Sequence, residues 1–421
     1  MNLLIKQATV VNTASQHHGK VVDILIEKGI ISQVKKTITA EKGVKVIEAP
    51  GLCVSLGWLD MQVNFCDPGY EYKENLDNGL KTAAAGGFTG VCVMSGTNPP
   101  LHTKAQIEYV KNRSVNNLVD IYPVGTLSHD QAGKDLSEMY DMQLAGAVAF
   151  SDYKKPVTDA GLILRALQYS KNINSFIITH ADDITISQGG QINEGVSSTR
   201  LGLKGIPALA EELMIQRNLQ ILEYSGGRIH FPTISTKGSA DLIKKAKANG
   251  LSVTCGVAAH NLLLDDTELE HFDTNFKISP PLRTKEDVTA LRKALESGVI
   301  DVVVSDHSPQ DVECKDLEFD LADNGIIGLQ TAFNCVITGI AKITPVKLAE
   351  CLAENPRRIL NLEAGIIAEN QKANLTLFTF TGKTTLQEKD IISKSKNTPF
   401  IGKLLDGKVI AAINNDKLYL N

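Results

Sequence analysis

The chain has 421 residues, of which 43% are hydrophobic, 22% charged and 5% aromatic, and its formal net charge is −5. This composition is typical of an ordinary globular protein large enough for two or three domains, and it argues against disorder or low complexity. The slight acidic excess gives no support to a nucleic-acid partner or an acidic membrane surface, because phosphate binding requires a basic face.

Short β-branched runs separated by Gly and Asn breaks fill both ends of the chain. Residues 1–52 and residues 361–421 share this pattern, which is typical of short antiparallel strands. We expect the two ends to pair into one small β-sandwich. Residues 53–360 are then left as a separate, central domain.

Eight apolar, strand-like runs recur along the central domain, separated by segments with helical spacing. They are GWLDMQVNF, FTGVCVM, LVDIYPVG, GAVAFSD, SFIITHA, RIHFPTIS, LSVTCGVA and VIDVVVSD. Continuous apolar strands that alternate with helices indicate a parallel sheet covered on both faces, and eight such units close a barrel. The predicted fold class is therefore α/β, a (β/α)8 TIM barrel, with a doubly wound open sheet as the structural alternative.

The carboxyl ends of the strands are where such a barrel carries its reactive side chains. Here they read GWLDMQVNFCDPG, MSGTNPP, FSDYKKPV, ITHADD, HFPTIS, GVAAHN, KISPPLR and VVSDHSPQ. Together with NEGVSSTRLGLKGIPALAEE and GIIGLQT, these pieces resemble, in order, the longer dihydroorotases related to hydantoinases and allantoinases, in the amidohydrolase superfamily. The resemblance covers nearly the whole chain. It implies one or two divalent metals, usually zinc, that activate a water to open or close the dihydroorotate ring.

Six positions correspond to the metal ligands that this resemblance implies. They are Gln62, Asn64, Tyr153, His180, Thr233 and Asp306. Only His180 and Asp306 keep ligand chemistry; Asp306 is also the position of the family's general base. Neutral amide, phenol and hydroxyl groups are poor replacements for imidazole and a bridging carboxylate. We therefore expect no bound zinc, because one imidazole and one carboxylate hold a divalent ion weakly.

The positions that contact substrate in the family have also changed. Cys66 stands where the resemblance implies an arginine, Gly96 and Ser279 where it implies asparagines, and Gln310 where it implies a histidine. A thiol cannot supply the bidentate donors with which arginine holds a carboxylate. The substrate site is therefore expected to be degenerate at four strand ends.

Simpler structural interpretations account for several of these residues. His180 and Asp306 can be polar residues hydrogen-bonded at a barrel mouth, and His230, His260 and His307 can orient loops or face solvent. Cys66 is expected to be inert, because Asp67 beside it disfavours a thiolate. The charged pair Lys154–Lys155, which follows Tyr153 and precedes a proline, is typical of a solvated loop.

Turn and packing motifs are kept while ligand and substrate positions are lost. This selective pattern resembles the catalytically degenerate, inactive members of the family and predicts a dihydroorotase-like pseudo-enzyme of pyrimidine biosynthesis. Such inactive relatives assemble with aspartate carbamoyltransferase, so the resemblance implies a structural role beside that enzyme. One alternative is an active dihydroorotase or related cyclic-amide hydrolase, with zinc in a site reorganised around His180 and Asp306. A second is a module that binds a small ligand in the emptied mouth.

Localisation and self-association follow from weaker signals. The seven cysteines are scattered without a Cys-x-x-Cys pair, and no apolar run reaches the ~18 residues of a membrane span. The first residues, MNLLIKQATVVN, lack the hydrophobic core of a leader peptide. We therefore expect a cytoplasmic protein with reduced thiols and no membrane partner. The resemblance further implies a homo-oligomer, most simply a dimer.

Overall fold

The computed structural model describes residues 1–421, and the strands form three hydrogen-bonded sheets. In chain order the strands are β1 (Asn2–Val11), β2 (Val21–Glu27), β3 (Ile30–Lys35), β4 (Lys45–Ile47), β5 (Cys53–Leu56), β6 (Trp58–Val63), β7 (Phe88–Val93), β8 (Asp120–Gly125), β9 (Ala149–Phe150), β10 (Ile177–Ile178), β11 (Ile192–Asn193), β12 (Gly205–Ile206), β13 (Ile229–Phe231), β14 (Val253–Ala258), β15 (Val302–Val304), β16 (Leu375–Thr385), β17 (Leu404–Asn414) and β18 (Lys417–Leu420).

Thirteen α-helices connect or cover these strands. They are α1 (Leu76–Ala85), α2 (Lys104–Asn112), α3 (Met139–Ala145), α4 (Ala160–Asn172), α5 (Ile184–Ser187), α6 (Val196–Leu201), α7 (Ala208–Ser225), α8 (Lys237–Ala248), α9 (Lys285–Glu296), α10 (Val312–Lys315), α11 (Ala332–Gly339), α12 (Pro345–Ala349) and α13 (Asn355–Ile359). None of them combines the length and the apolar character needed to cross a lipid bilayer.

The central domain is a closed barrel of eight parallel strands, β6 to β10 and β13 to β15. The last strand returns to the first, because Val63 bridges to His307 and the amide of Asn64 donates to the His307 carbonyl over 2.8 Å. Across the same seam, the amide of Ser305 donates to Asp60 Oδ2 at 2.9 Å. These are the eight predicted runs, so the predicted TIM barrel is confirmed and the open sheet is excluded.

Helix starts and strand burial follow local sequence rules. Asn75, Thr103, Thr236 and Thr284 each accept a backbone amide of the first turn and so fix where α1, α2, α8 and α9 begin. All residues of β6 and β7 are buried. That burial is expected of strands covered by the barrel core on one face and by helices on the other.

Both chain ends build a second domain, as the sequence predicts. Its sheet has the order β18–β17–β16–β5–β1–β2–β3, with β4 added to β1. Not all pairs are antiparallel, because β1 lies parallel to β4 and β5. The sheet also takes in Cys53–Leu56, which the sequence analysis assigned to the barrel. The sequence there is one apolar stretch divided only by Gly57, where a Cβ would lie 2.0 Å from the side chain of Asn374.

Trp58 joins the two domains. Its ring lies 5.2 Å from that of Phe333 and 5.3 Å from that of Phe378, centroid to centroid, and its indole N–H donates to Ser55 Oγ at 3.1 Å. Aromatic contacts of this kind add to the burial energy of the rings. The domains therefore share one packed interface at the start of the barrel.

A buried ion pair fixes the loops after β10 and β13. Arg283 Nη2 lies 3.6 Å from Glu211 Oε2, and both side chains are almost fully buried. The guanidinium also donates to Ser235 Oγ and to Asn193 Oδ1, each at 2.9 Å. Glu211 Oε1 accepts the Ser235 amide at 2.8 Å. A buried pair satisfied in this way holds neighbouring loops in one arrangement.

Candidate active site at the barrel mouth

The carboxylate of Asp306 is occupied on both oxygens by donors from within the chain. Its Oδ1 accepts Gln62 Nε2 at 2.7 Å, and its Oδ2 accepts Lys154 Nζ at 2.8 Å. The Asp306 side chain is 1% exposed. A general base needs a lone pair directed at the substrate or at water, and here each oxygen of Asp306 directs one lone pair at a donor of the chain, an amide or an ammonium.

Lys154 supplies the positive charge at the mouth. Its ammonium also donates to the carbonyl of Ser279 at 2.8 Å, and it lies 5.8 Å from the ring centroid of Tyr153. Burial alone would lower the pKa of Lys154, but Asp306 and Tyr153 together outweigh burial, and the pKa of Lys154 is raised. Lys154 therefore carries its positive charge at neutral pH, beside the Asp306 side chain.

The predicted solvated loop at Lys154–Lys155 is wrong for Lys154. Its side chain is 17% exposed, whereas Lys155 is exposed as predicted. The chain makes a left-handed turn at Tyr153, where φ is 56°. This conformation is uncommon for a bulky residue. This turn allows both Tyr153 and Lys154 to lie in the mouth, although the charged pair in the sequence predicted a solvent-exposed loop.

Tyr153 and Gly96 fit one another sterically. A Cβ atom added to Gly96 would lie 2.4 Å from Cδ1 of Tyr153, closer than real Cβ contacts allow. The asparagine that the resemblance implies at this position is therefore incompatible with the tyrosine ring. The Tyr153 hydroxyl lies 3.4 Å from Ser308 Oγ, and burial raises the pKa of Tyr153 to about 12. The ring is thus neutral and fills the space beside Gly96.

Asn64 and Cys66 are engaged with the backbone around them. Asn64 Nδ2 donates to the carbonyl of Gly96 at 3.3 Å, and Asn64 Oδ1 accepts the amide of Cys66 at 2.9 Å. Cys66 is 2% exposed, and burial raises the pKa of its thiol to about 12, although Lys73 opposes that shift. The thiol is therefore protonated at neutral pH and a weak nucleophile.

Two neutral imidazoles lie in the electrostatic field of the ion pair. Burial lowers the pKa of His180 to about 4; Lys154 lowers it further and Asp306 opposes. Burial also lowers the pKa of His260 to about 4, where Asp306 opposes and Lys154 adds. Thr233 Oγ1 and His260 Nε2 are buried without a hydrogen-bond partner. Sequence reasoning gave His260 no role at the mouth, although its place directly after β14 is the signal that could have found it.

Gln310 and His230 make their contacts away from the ion pair. Gln310 accepts Lys73 Nζ at 2.5 Å through Oε1 and donates to the Asn324 carbonyl at 2.9 Å through Nε2. His230 pairs with Thr254 Oγ1 at 2.8 Å. None of these contacts places Gln310 or His230 beside Asp306.

One rim contact was missed by sequence reasoning. Asn397, in the C-terminal part of the chain, accepts the Gln310 amide at 3.1 Å and donates to the Ser308 carbonyl at 3.1 Å. Nearby, Glu74 is fully buried and accepts Ser393 Oγ at 2.7 Å. The second domain therefore closes one side of the mouth, and nothing in the local sequence of residues 391–400 signals this.

The residues at the mouth do not fit a zinc ion. No group of three or more His, Cys, Asp or Glu side chains is arranged to hold a metal. A zinc ion on Asp306 would have to replace the Lys154 ammonium, because two cations next to one buried carboxylate oxygen repel strongly. His180 offers a single further donor. Lys154 already places a positive charge on the Asp306 oxygen that a metal would have to contact.

The buried histidines predict a measurable pH dependence of stability. Burial, with Lys247 and Arg228 nearby, lowers the pKa of His230 from 6.5 to about 3. Below pH 6.5 the unfolded state therefore binds a proton that the native state does not, so stability falls as the pH falls. We expect His230→Gln to reduce the stability lost between pH 7 and pH 5 by roughly 2 kcal/mol, measured by urea unfolding.

His18, which is exposed, provides the matched control. The His18→Gln variant should keep the pH dependence of the wild type. Asp60 has the opposite effect on the pH dependence of stability in the wild type and in both variants. Burial raises the pKa of Asp60 to about 7, so as the pH falls its carboxylate takes up a proton in the native state before it does so in the unfolded state. Equal pH dependence in the wild type and His230→Gln would contradict the assignment of a neutral His230.

Solved structures of other proteins share this architecture. The barrel and the sheet domain superpose on L-hydantoinase (dihydropyrimidinase) from Arthrobacter aurescens with a TM-score of 0.86 at 22% identity, covering 100% of this chain and 96% of that one. A D-hydantoinase structure gives 0.82 at 20% identity, over 100% of this chain and 95% of that one. The chain therefore shares its fold with these two hydantoinases.

Proteins of similar sequence identify the family of this chain. The family model described as "Dihydro-orotase-like" matches residues 51–239. A dihydroorotase of Geobacter metallireducens is 39% identical over 421 residues, covering 99% of each chain, and one of Acetivibrio thermocellus is 38% identical over 417 residues, covering 98% of this chain and 97% of its own. The chain belongs to the dihydroorotase family.

Proposed function

We propose that this family member has lost ring hydrolysis and acts as a structural subunit in pyrimidine biosynthesis. The observation that carries the proposal is the state of Asp306, whose two carboxylate oxygens accept Gln62 and Lys154. On this proposal, the carboxylate that accepts these two donors stabilises the mouth and serves neither as a metal ligand nor as a general base. The ring of Tyr153, packed beside Gly96, adds steric closure.

The partner that we propose is aspartate carbamoyltransferase. Support comes from the resemblance to inactive family members that assemble with this enzyme, together with the retention of the whole fold. The structure contains the complete barrel, the terminal sheet and the buried Arg283–Glu211 pair. This is expected if selection has preserved the fold and not the catalytic groups. On this proposal the chain stabilises an assembly in which other subunits carry the catalysis.

Activity and metal content provide the first test. We expect purified protein, prepared with zinc in the medium, to contain far less than one zinc per chain and to show no dihydroorotate turnover. The Geobacter metallireducens dihydroorotase, prepared identically, is the positive control. Treatment with a chelator should leave the melting temperature of this protein unchanged, because Lys154 is covalently part of the chain. Stoichiometric zinc with chelator-sensitive turnover would establish the active hydrolase around His180 and Asp306 instead.

Co-expression tests the assembly. We expect this chain and the aspartate carbamoyltransferase of the same organism to co-elute as one complex larger than either protein alone. The matched control replaces this chain with the Geobacter metallireducens dihydroorotase. Independent elution of the two proteins at micromolar concentration would contradict the partnership. The loss of hydrolysis is tested separately, by the activity and metal measurements.

A further inference from the structure

A cavity of about 620 Å³ lies at the end of the barrel opposite the mouth. Its wall includes Asn355, whose side chain donates to the carbonyl of Asp301 at 2.8 Å. Asp301 directly precedes β15, whereas Asp306 of the mouth follows that strand. The cavity therefore lies beside the amino ends of the barrel strands, while barrels of this kind carry their catalytic groups at the carboxyl ends. A molecule held there is placed for binding and not for the chemistry of the mouth.

Arg357, in the wall of this cavity, is a buried arginine with most of its donors unused. The residue is 9% exposed. Its guanidinium donates one hydrogen bond within the chain, from Nη1 to the Ala353 carbonyl at 2.8 Å, and forms no ion pair. Buried arginines are normally paired with an anion, and burial accordingly lowers the pKa of Arg357, although Tyr122 and two carboxylates oppose that shift. The chain thus leaves a buried positive charge without a partner.

Glu354 is the carboxylate in the wall that also lacks a charged partner. Its Oε1 accepts Asn12 Nδ2 at 3.1 Å, and it forms no ion pair. Glu354 lies one helical turn before Arg357, and residues at that spacing lie on one side of a helix. The other charged residues of the wall have partners of opposite charge, at 2.7 Å for Glu350 and Lys347 and at 3.7 Å for Arg358 and Asp301.

Apolar residues from both domains complete the wall. They are Ala14 and Leu56 from the terminal sheet domain, and Leu362 and Ala364 from the segment after α13. A π-helical turn, Glu350–Glu354, lies between α12 and α13 and carries part of the charged wall. Such turns are rare and frequently occur at functional sites. The wall therefore places an unpaired cation, an unpaired carboxylate and an apolar surface around one cavity.

One class of small molecule complements all three features. An arginine with free N–H donors binds a carboxylate through parallel hydrogen bonds, and a carboxylate such as that of Glu354 pairs with an ammonium group. Apolar walls with a few placed polar groups are typical of small-molecule sites. We propose that this cavity binds a free α-amino acid with an aliphatic side chain, whose carboxylate pairs with Arg357 and whose ammonium pairs with Glu354. The inference does not depend on whether the chain hydrolyses dihydroorotate.

Thermal unfolding of the full-length chain with and without L-leucine tests the site. At about 10 mM leucine and neutral pH we expect the melting temperature to rise by about 2 °C or more, because a ligand that binds only the native state stabilises it. Isocaproate is leucine without its amino group, and isoamylamine is leucine without its carboxylate. Each should give less than about half of the leucine-induced rise, because each leaves Glu354 or Arg357 without a partner.

Arg357→Met ties the effect to this cavity. The leucine-induced rise should disappear in this variant, because the carboxylate of leucine loses its cation. Without leucine the variant should melt at a higher temperature than the wild type, because replacing a buried unpaired charge with an apolar side chain removes the desolvation cost of that charge. Arg165→Met is the matched control. It removes an exposed arginine of α4 that lies 3.6 Å from Asp159, and it should leave the leucine-induced rise unchanged.

Glu354→Gln supplies an independent variant, since Glu354 is half-buried and makes one hydrogen bond. In this variant leucine should raise the melting temperature no more than isocaproate does, because the ammonium of leucine has lost its partner. Circular dichroism should show that all variants are folded. The proposal would be overturned by the absence of a rise with leucine, by an equal rise in the wild type and Arg357→Met, or by an equal rise with leucine and isocaproate in the wild type.

Discussion

Replacing Lys154 with methionine is expected to lower the free energy of unfolding by about 3–5 kcal/mol, because it leaves the Asp306 carboxylate buried without its cation. The remaining donor, Gln62, is neutral and cannot compensate for the lost charge. Urea unfolding followed by circular dichroism measures the change. The double variant Lys154→Met/Asp306→Asn should recover most of the loss, because it removes the unpaired charge as well as the pair.

Lys155→Met is the matched control for this prediction. Lys155 is the adjacent lysine and is exposed, so its replacement should change the free energy of unfolding by no more than about 0.5 kcal/mol. If Lys154→Met and Lys155→Met have the same small effect, the ion pair contributes nothing to the fold. The Lys154 ammonium would then not stabilise the barrel mouth.

The second large effect is expected at Arg283. Substitution with methionine leaves Glu211 as an unpaired buried carboxylate and removes donors to Ser235 and Asn193. We expect a loss of about 3–5 kcal/mol in the free energy of unfolding. The double variant Arg283→Met/Glu211→Gln should be less destabilised than Arg283→Met alone, as measured in the same urea experiment.

Arg200 and Glu270 provide the control for burial. Their ion pair is shorter, at 2.6 Å, but both side chains are about half exposed. Arg200→Met should therefore cost no more than about 1 kcal/mol. If Arg200→Met is as destabilising as Arg283→Met, desolvation is not what makes the Arg283–Glu211 pair important.

The barrel was predictable because its signal is repeated and local. Eight apolar runs divided by helical segments identify eight strands, and each strand needs only its own sequence to be recognised. The boundary near residue 52 was harder, because β5 and β6 read as one apolar run while pairing in different sheets. Only Gly57 separates them, and one glycine does not reveal which partner each half takes.

The candidate site was predictable where it depends on motif positions. Asp306 and His180 lie at the mouth, as the order of the strand ends implies. The role of Lys154 was not predictable, because it depends on the left-handed turn at Tyr153 and on a partner 152 residues away. The steric match between Gly96 and Tyr153 likewise joins two strand ends that no local pattern connects.

The pairing of β5 with β1 and β16 has a consequence for biosynthesis. Leu56 lies opposite Leu375, so one edge of β5 remains unpaired until β16 has left the ribosome. Contacts between residues so far apart are slow to form and leave unpaired strand edges exposed during translation. Nascent chains arrested before residue 375 should consequently need chaperone protection, whereas released full-length chains can complete the sheet on their own.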